Sequence, residues 1–169
     1  MYSDTPAIDS GVTLAQFFVG TESLVCDVYP LRSENQFVNA LQDNIRCCGA
    51  MDKLISDRAQ VETSNRVKDI LRNYIIGDWQ SEPYQQHQNP AERHYQDVKR
   101  MANTLLDRTG APPSLWLLAL MHVCFILNLS ATASLGYAVP LTVLTGVMPD
   151  ISALLQFDWY EPVYYKLDE

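Results

Sequence analysis

Asp4, Asp57 and Glu92 are the side chains whose type and spacing name a chemistry. Intervals of 52 and 34 residues separate them, with Asp57 in Ser56-Asp57-Arg58-Ala59-Gln60 and Glu92 in Gln88-Asn89-Pro90-Ala91-Glu92-Arg93. Carboxylates so spaced, two at strands and one at the mouth of a helix, are what phosphoryl transfer at a pair of Mg2+ or Mn2+ ions needs. Two such ions about 4 Å apart activate the attacking oxygen and stabilise the leaving one. Hard oxygen ligands must nearly neutralise both ions together with the phosphate. The expectation is a two-metal site held by Asp4, Asp57 and Glu92, with Asp27 as the alternative first ligand. Each acid also has a plain structural use: Asp4 as a solvated charge, Asp57 as a turn former, Glu92 as the partner of Asn89 in a capping box.

The elements that must position these acids follow from periodicity and punctuation. Residues 2–31 read as an antiparallel meander of three strands, with Asp4 on the first, a turn at Asp9-Ser10-Gly11, and apolar runs at 12–19 and 24–31. Ser33 and Gln36 form a capping box for a helix that presents Phe37, Leu41, Ile45 and Cys48 and stops at Gly49. Residues 51–56 then make a short buried strand with Asp57 at its end. A second helix carries Val67, Ile70, Leu71 and Tyr74 and ends before Gly77, followed by an extended segment at 78–84. The third helix is capped by Asn89, has Pro90 at its first position, and runs an apolar stripe of Ala91, Tyr95, Val98, Ala102 and Leu105 to Gly110. Glu92, Gln96, Lys99 and Asn103 share the face beside that stripe. Pro112-Pro113-Ser114 opens an apolar helix reaching Leu129, and Pro140 to Gly146 reads as one more short helix.

This order is that of the ribonuclease-H-like fold. It predicts an α/β protein with a five-stranded mixed sheet, strands one to three antiparallel, strands four and five parallel, and helices on both faces. Residues 1–110 form the core, and 111–169 a helical extension of the same domain with an acidic tail.

Two blocks carry a resemblance. Ser56-Asp57-Arg58-Ala59-Gln60-Val61-Glu62 is similar to the Ser-Asp-Asn-Gly-x-Glu-Phe block of retroviral-type integrase catalytic cores. Pro83-Tyr84-Gln85-Gln86-His87-Gln88-Asn89-Pro90-Ala91-Glu92-Arg93 resembles their Pro-Tyr-x-x-Gln-Gln-Asn-Gly-Val-Ala-Glu-Arg block, in the form found in copia-type retrotransposons. The segments Trp116 to Asn128 and Pro140 to Gly146 look like two further stretches of that family. The resemblance implies metal-dependent trimming of DNA 3′ ends and strand transfer, with Asp4, Asp57 and Glu92 as catalytic and metal-ligating residues. It also implies DNA contact through Gln88 and Lys99, with Gln96 and Asn103 on the same helix face, and pairing of the core as a homodimer. Arg58-Ala59 departs from the family's Asn-Gly. With only three residues before Asp4 and no flanking zinc or basic domain, an excised core or a degenerate, non-catalytic remnant kept for packing or dimerisation is the alternative.

Composition bounds these expectations. The chain has 169 residues, 47% hydrophobic and 19% charged, which is enough apolar content for one buried core. A net charge of -8 argues against a free-standing nucleic-acid binder, because phosphate neutralisation needs clustered cations, so DNA must be held locally. Arg93, Lys99, Arg100 and Arg108 do gather on one segment. Cys26, Cys47, Cys48 and Cys124 show no metal or disulfide spacing and read as reduced thiols of an intracellular, nuclear or cytoplasmic protein. His87 and His94 read as exposed polar positions. The apolar run from Leu115 to Leu129 is shorter than the roughly 20 residues a membrane crossing needs, so no membrane partner is expected.

Overall fold

The computed structural model describes residues 3–56, 64–80 and 90–163. Strand β1 (Leu14–Val19) pairs antiparallel with β2 (Cys26–Leu31), from Leu14 opposite Leu31 to Val19 opposite Cys26. Successive strand residues point to opposite faces. Ala15, Phe17, Val19, Cys26 and Val28 therefore turn to one core, and Leu14, Phe18, Tyr29 and Leu31 to another. Each side of the hairpin receives helices.

The second side is covered by α1 (Phe37–Cys48), whose Phe37, Leu41 and Ile45 are buried at helical spacing. Gly49 ends it at φ 87°, with its N–H bonded to the Ile45 carbonyl, a conformation that glycine adopts without a Cβ penalty. The expected capping box does not form. Gln36 Oε1 accepts from the Arg32 amide at 2.7 Å, while Ser33 makes no side-chain cap and precedes a short 3-10 turn at Glu34–Gln36. Beyond α1, β3 (Lys53–Ser56) runs parallel to β4 (Gly77–Gln80), and α2 (Asn65–Asn73) connects them. Ser64 caps α2 by accepting from the Val67 amide. Leu54, Val67, Ile70, Leu71 and Ile76 join Phe37, Leu41 and Ile45 in one cluster.

The first side of the hairpin carries the main core. Val98 and Ala102 of α3 (Pro90–Thr109) and Leu117, Leu120, Val123 and Cys124 of α4 (Trp116–Leu129) pack on Ala15, Cys26 and Val28. Asn128 fastens α4 to β2, its side chain accepting from the Cys26 amide at 2.8 Å and donating to the Cys26 carbonyl at 2.9 Å. A last short helix, α5 (Pro140–Thr145), packs on α4 and ends at Gly146 with φ 74°. No helix among the described residues is long and apolar enough to cross a membrane.

The single five-stranded sheet is not formed. The described strands make two separate two-stranded sheets, β1 with β2 and β3 with β4. The missing link is the expected first strand. Ser3 to Ile8 runs beside the start of β1 only through Ser3 N to Thr13 O and Ala7 N to Val12 O, and turns at once by Gly11 N to Ala7 O. Pro6 lacks the amide a central strand must donate. The remaining groups are taken elsewhere: the Ile8 amide donates to the Ser114 carbonyl, and the Thr5 carbonyl accepts from the Trp116 indole. With its backbone committed to the entrance of α4, this segment does not bridge β1 to β3.

Candidate functional site

Helix α3 is where the candidate residues come together. Its buried stripe, Val98 and Ala102 with Tyr95 and Leu105 half-buried, fixes the rotation of the helix against β1 and α4. The neighbouring polar face is thereby turned outward, and Glu92, Gln96, Lys99 and Asn103 are all exposed, as their spacing predicts. Arg100 lies off this face and is paired with Asp97 at 2.9 Å.

Beside that face lies a cavity of about 220 Å³. Asp4, Tyr95, Lys99 and Asn103 supply its polar groups together with Ser3. Ala102, Leu106, Trp116 and Leu120 form its apolar wall. The structure thus sets Asp4, Lys99 and Asn103 in the lining of one cavity. Asp4 sits in an exposed bend rather than on a strand.

Glu92 is not brought to the same place. It stands exposed in the first turn of α3 and is absent from the described lining of the cavity. Seven residues of helix between Glu92 and Lys99 amount to about 10 Å along the axis. Asp57 and Gln88 lie outside the described residues, as does Asn89, the expected cap of α3. Asp27, the alternative first ligand, is half-buried on the side of β2 that faces α1, where the Cys48 thiol lies 3.8 Å from its Oδ2. The hairpin therefore separates it from α3. Burial raises the Asp27 carboxyl above its ordinary value, against hydrogen bonds from Cys48 and Tyr29.

The Mg2+ or Mn2+ expectation is overturned by this arrangement. Among the described residues no group of three or more His, Cys, Asp or Glu side chains could hold a metal ion. Coordination requires oxygens converging within about 2.0–2.6 Å of one point. Asp4 at the Lys99 turn and Glu92 at the mouth of α3 do not provide it.

Several residues of the site escape a reading of spacing alone. Tyr95 belongs by period to the buried stripe, yet it also lines the cavity; its position one turn after Glu92 and one before Lys99 is the signal that places it there. Burial raises its hydroxyl above the ordinary tyrosine value, so it stays protonated as a donor. Trp116 gives no such signal. It holds the segment carrying Asp4 through a contact 111 positions apart in sequence.

His94 is not the exposed position expected. It is half-buried, stacked on Phe17 with ring centroids 6.1 Å apart, and its Nε2 is buried with no hydrogen-bond partner among the described residues. The adjacent Cys26 raises it, against burial. Cys26 and Cys124 are both buried free thiols. The contact from Cys124 lowers Cys26 to about 6 against the cost of burial. The same contact and burial raise Cys124, which keeps its proton. Cys26 and Cys124 share one core cluster with Ala102, Trp116 and Leu120 of the cavity wall, and His94 meets Phe17 beside Tyr95.

No protein-family profile and no curated protein matches the chain. Solved structures do match its fold. The HTLV-2 integrase catalytic core domain in complex with magnesium, in a trimeric form, superposes with a TM-score of 0.63 at 16% identity, covering 77% of this chain and 83% of that one. The catalytic core domain of BIV integrase gives 0.59 at 18% identity over 78% and 86%. A simian T-cell lymphotropic virus intasome, in complex with PP2A regulatory subunit B56 gamma, gives 0.68 at 12% identity over 98% of this chain and 56% of that one. The chain is structurally similar to retroviral integrase catalytic cores, with the sheet divided in two as described.

Proposed function

We propose that the chain is the DNA-engaging core of an integrase-type protein, contacting the strand backbone through the Gln96, Lys99 and Asn103 face of α3, with Gln88 preceding it. The observation that carries this is the exposed polar face itself, set on a rigid, well-packed helix and bordered by a cavity that holds Lys99, Asn103 and Asp4 together. A single lysine beside amide donors suits local phosphate contact, where a chain of charge -8 offers no broad basic surface. Fold similarity to integrase cores agrees with it.

The reaction class that goes with this is trimming of a DNA 3′ end and attack of the resulting hydroxyl on a target phosphodiester. Asp4, Asp57 and Glu92 are its candidate carboxylates. Fluorescently labelled short duplex DNA, incubated with the chain and with its Asp4→Asn and Glu92→Gln variants, tests it. Shortened and joined strands made by the parent and lost in both variants are expected; joined products that persist in the variants would remove these residues from the reaction.

A non-catalytic role in pairing is favoured by one specific observation. Leu118, Met121 and Phe125 leave an apolar stripe on α4 that is 37%, 43% and 50% exposed. The HTLV-2 core occurs in a form described as dimeric. A second copy packing on this stripe gives the chain a use as a dimerisation module even without strand joining. Pairing through α4 is compatible with DNA contact through α3, since the stripe and the polar face belong to different helices.

A further inference from the structure

Two thiols that DNA contact does not use lie where β2 meets α4. Asn128 bonds both the amide and the carbonyl of Cys26, so the start of β2 is pinned to the helix. Cys124 precedes Asn128 by four residues and shares its face of α4, one turn away. The Cys26 side chain is turned toward that turn. Its Sγ lies 4.0 Å from the Cys124 carbonyl oxygen, and the two thiols are in hydrogen-bonding contact. Both are free, and they are 0% and 2% exposed.

His94 of α3 adjoins them. Its Nε2 is buried with no hydrogen-bond partner among the described residues, a costly position for a ring nitrogen. Two sulfurs and an imidazole suit a soft metal by type. Among the described residues, however, no group of three such side chains could hold a metal ion. A buried thiol in apolar surroundings is ordinarily an inert packing group. Here the surroundings are not purely apolar. The contact from Cys124, aided by His94, lowers Cys26 to about 6 against the cost of burial, while Cys124 is raised and keeps its proton. One sulfur is thereby the nucleophile and its neighbour the thiol that resolves it.

We propose that Cys26 and Cys124 are an oxidation site, converted by hydrogen peroxide to a reversible disulfide between β2 and α4, with His94 carrying the proton. The Cys26 sulfur attacks one peroxide oxygen as His94 Nε2 takes the thiol proton. The O–O bond breaks, the leaving hydroxide collects that proton as water, and Cys26 becomes a sulfenic acid. The Cys124 sulfur then displaces the hydroxyl from Cys26, and its own proton leaves with that hydroxyl as a second water. Two thiols and one peroxide give one disulfide and two waters, the sulfurs losing the two electrons that reduce the O–O bond. Their burial selects the oxidant: a bulky disulfide is shut out, while peroxide, little larger than water, enters beside the half-buried His94.

The test treats the reduced whole chain with hydrogen peroxide, then unfolds it, alkylates it with N-ethylmaleimide and maps its peptides by mass. The expected product is a linked pair of peptides carrying Cys26 and Cys124, separated again by dithiothreitol. Closing a loop of 98 residues should also raise the melting temperature by roughly 10 °C. His94→Gln should slow the linkage about a hundredfold and leave the melting temperature of the reduced chain unchanged. Linkage of that variant at the parent rate removes His94 from the step. If Cys26 and Cys124 both remain open to alkylation while the exposed Cys47 is oxidised, or if they link only in urea, the oxidation site is overturned.

Discussion

The indole nitrogen of Trp116 donates to the carbonyl of Thr5 at 2.8 Å, joining the first turn of α4 to the segment that carries Asp4. This bond, with Ile8 N to Ser114 O, decides where Asp4 stands relative to Lys99. Trp116→Phe keeps most of the packing and removes the donor. The expected cost is about 1 kcal/mol, or about 2–4 °C in melting temperature for a chain of this size. Amide exchange at Ile8 should accelerate at the same time. Unchanged exchange there would show that the segment is held by something other than this contact.

Asn128→Ala should be more damaging. The Asn128 side chain satisfies both the amide and the carbonyl of Cys26 across 102 positions, and its loss leaves two backbone groups without that partner at a residue that is 0% exposed. Each such group costs about 1–3 kcal/mol. Urea unfolding should show a lowered midpoint with little change in slope. A midpoint within error of the parent would mean that other groups take over both bonds.

Asp27 gives a dependence on pH. Burial raises its carboxyl in the folded chain above the unfolded value of about 3.9. Between those two values the folded state holds more protons than the unfolded one, so this group's contribution to stability is present below the unfolded value and is lost as pH rises through the folded one. Asp27→Asn should therefore stabilise the chain at neutral pH relative to the parent, with the difference shrinking toward pH values below about 4. Melting temperatures of the two proteins across that range decide it, and a difference that grows on acidification would reverse the sign.

Much of this architecture was legible in advance because it is local. Phe37, Leu41 and Ile45 announce α1 by their spacing, Gly49 ends it, and Val98 and Ala102 set which way α3 faces, so that Gln96, Lys99 and Asn103 are turned to solvent as expected. The sheet departs from its expected form at one residue whose effect is also local: Pro6 removes a donor from the run that carries Asp4, and that run bonds to Ser114 and Trp116. The cavity and the Cys26, Cys124 and His94 cluster were not readable. The cavity arises where residues 3 and 4 meet α3 and α4, the cluster where β2, α3 and α4 pack together, and no periodicity encodes either meeting.

Pairing through α4 predicts that Phe125→Glu yields a monomer in sedimentation velocity at concentrations where the parent is a dimer, with an unchanged far-ultraviolet spectrum. Phe125 is half exposed, so the charge disturbs the stripe and not the core. A parent chain that is monomeric at high concentration, or a dimer indifferent to this change, removes α4 as the interface.

DNA engagement by α3 is tested most directly by the affinity of a short duplex with an overhang, measured from about 50 to 200 mM salt for the parent and for a Lys99→Ala, Asn103→Ala double variant. The account predicts affinity that falls with salt in the parent. In the variant it predicts binding weakened at every salt concentration, with the slope of log affinity against log salt reduced by about one. A variant that binds like the parent, with the same slope, would contradict it.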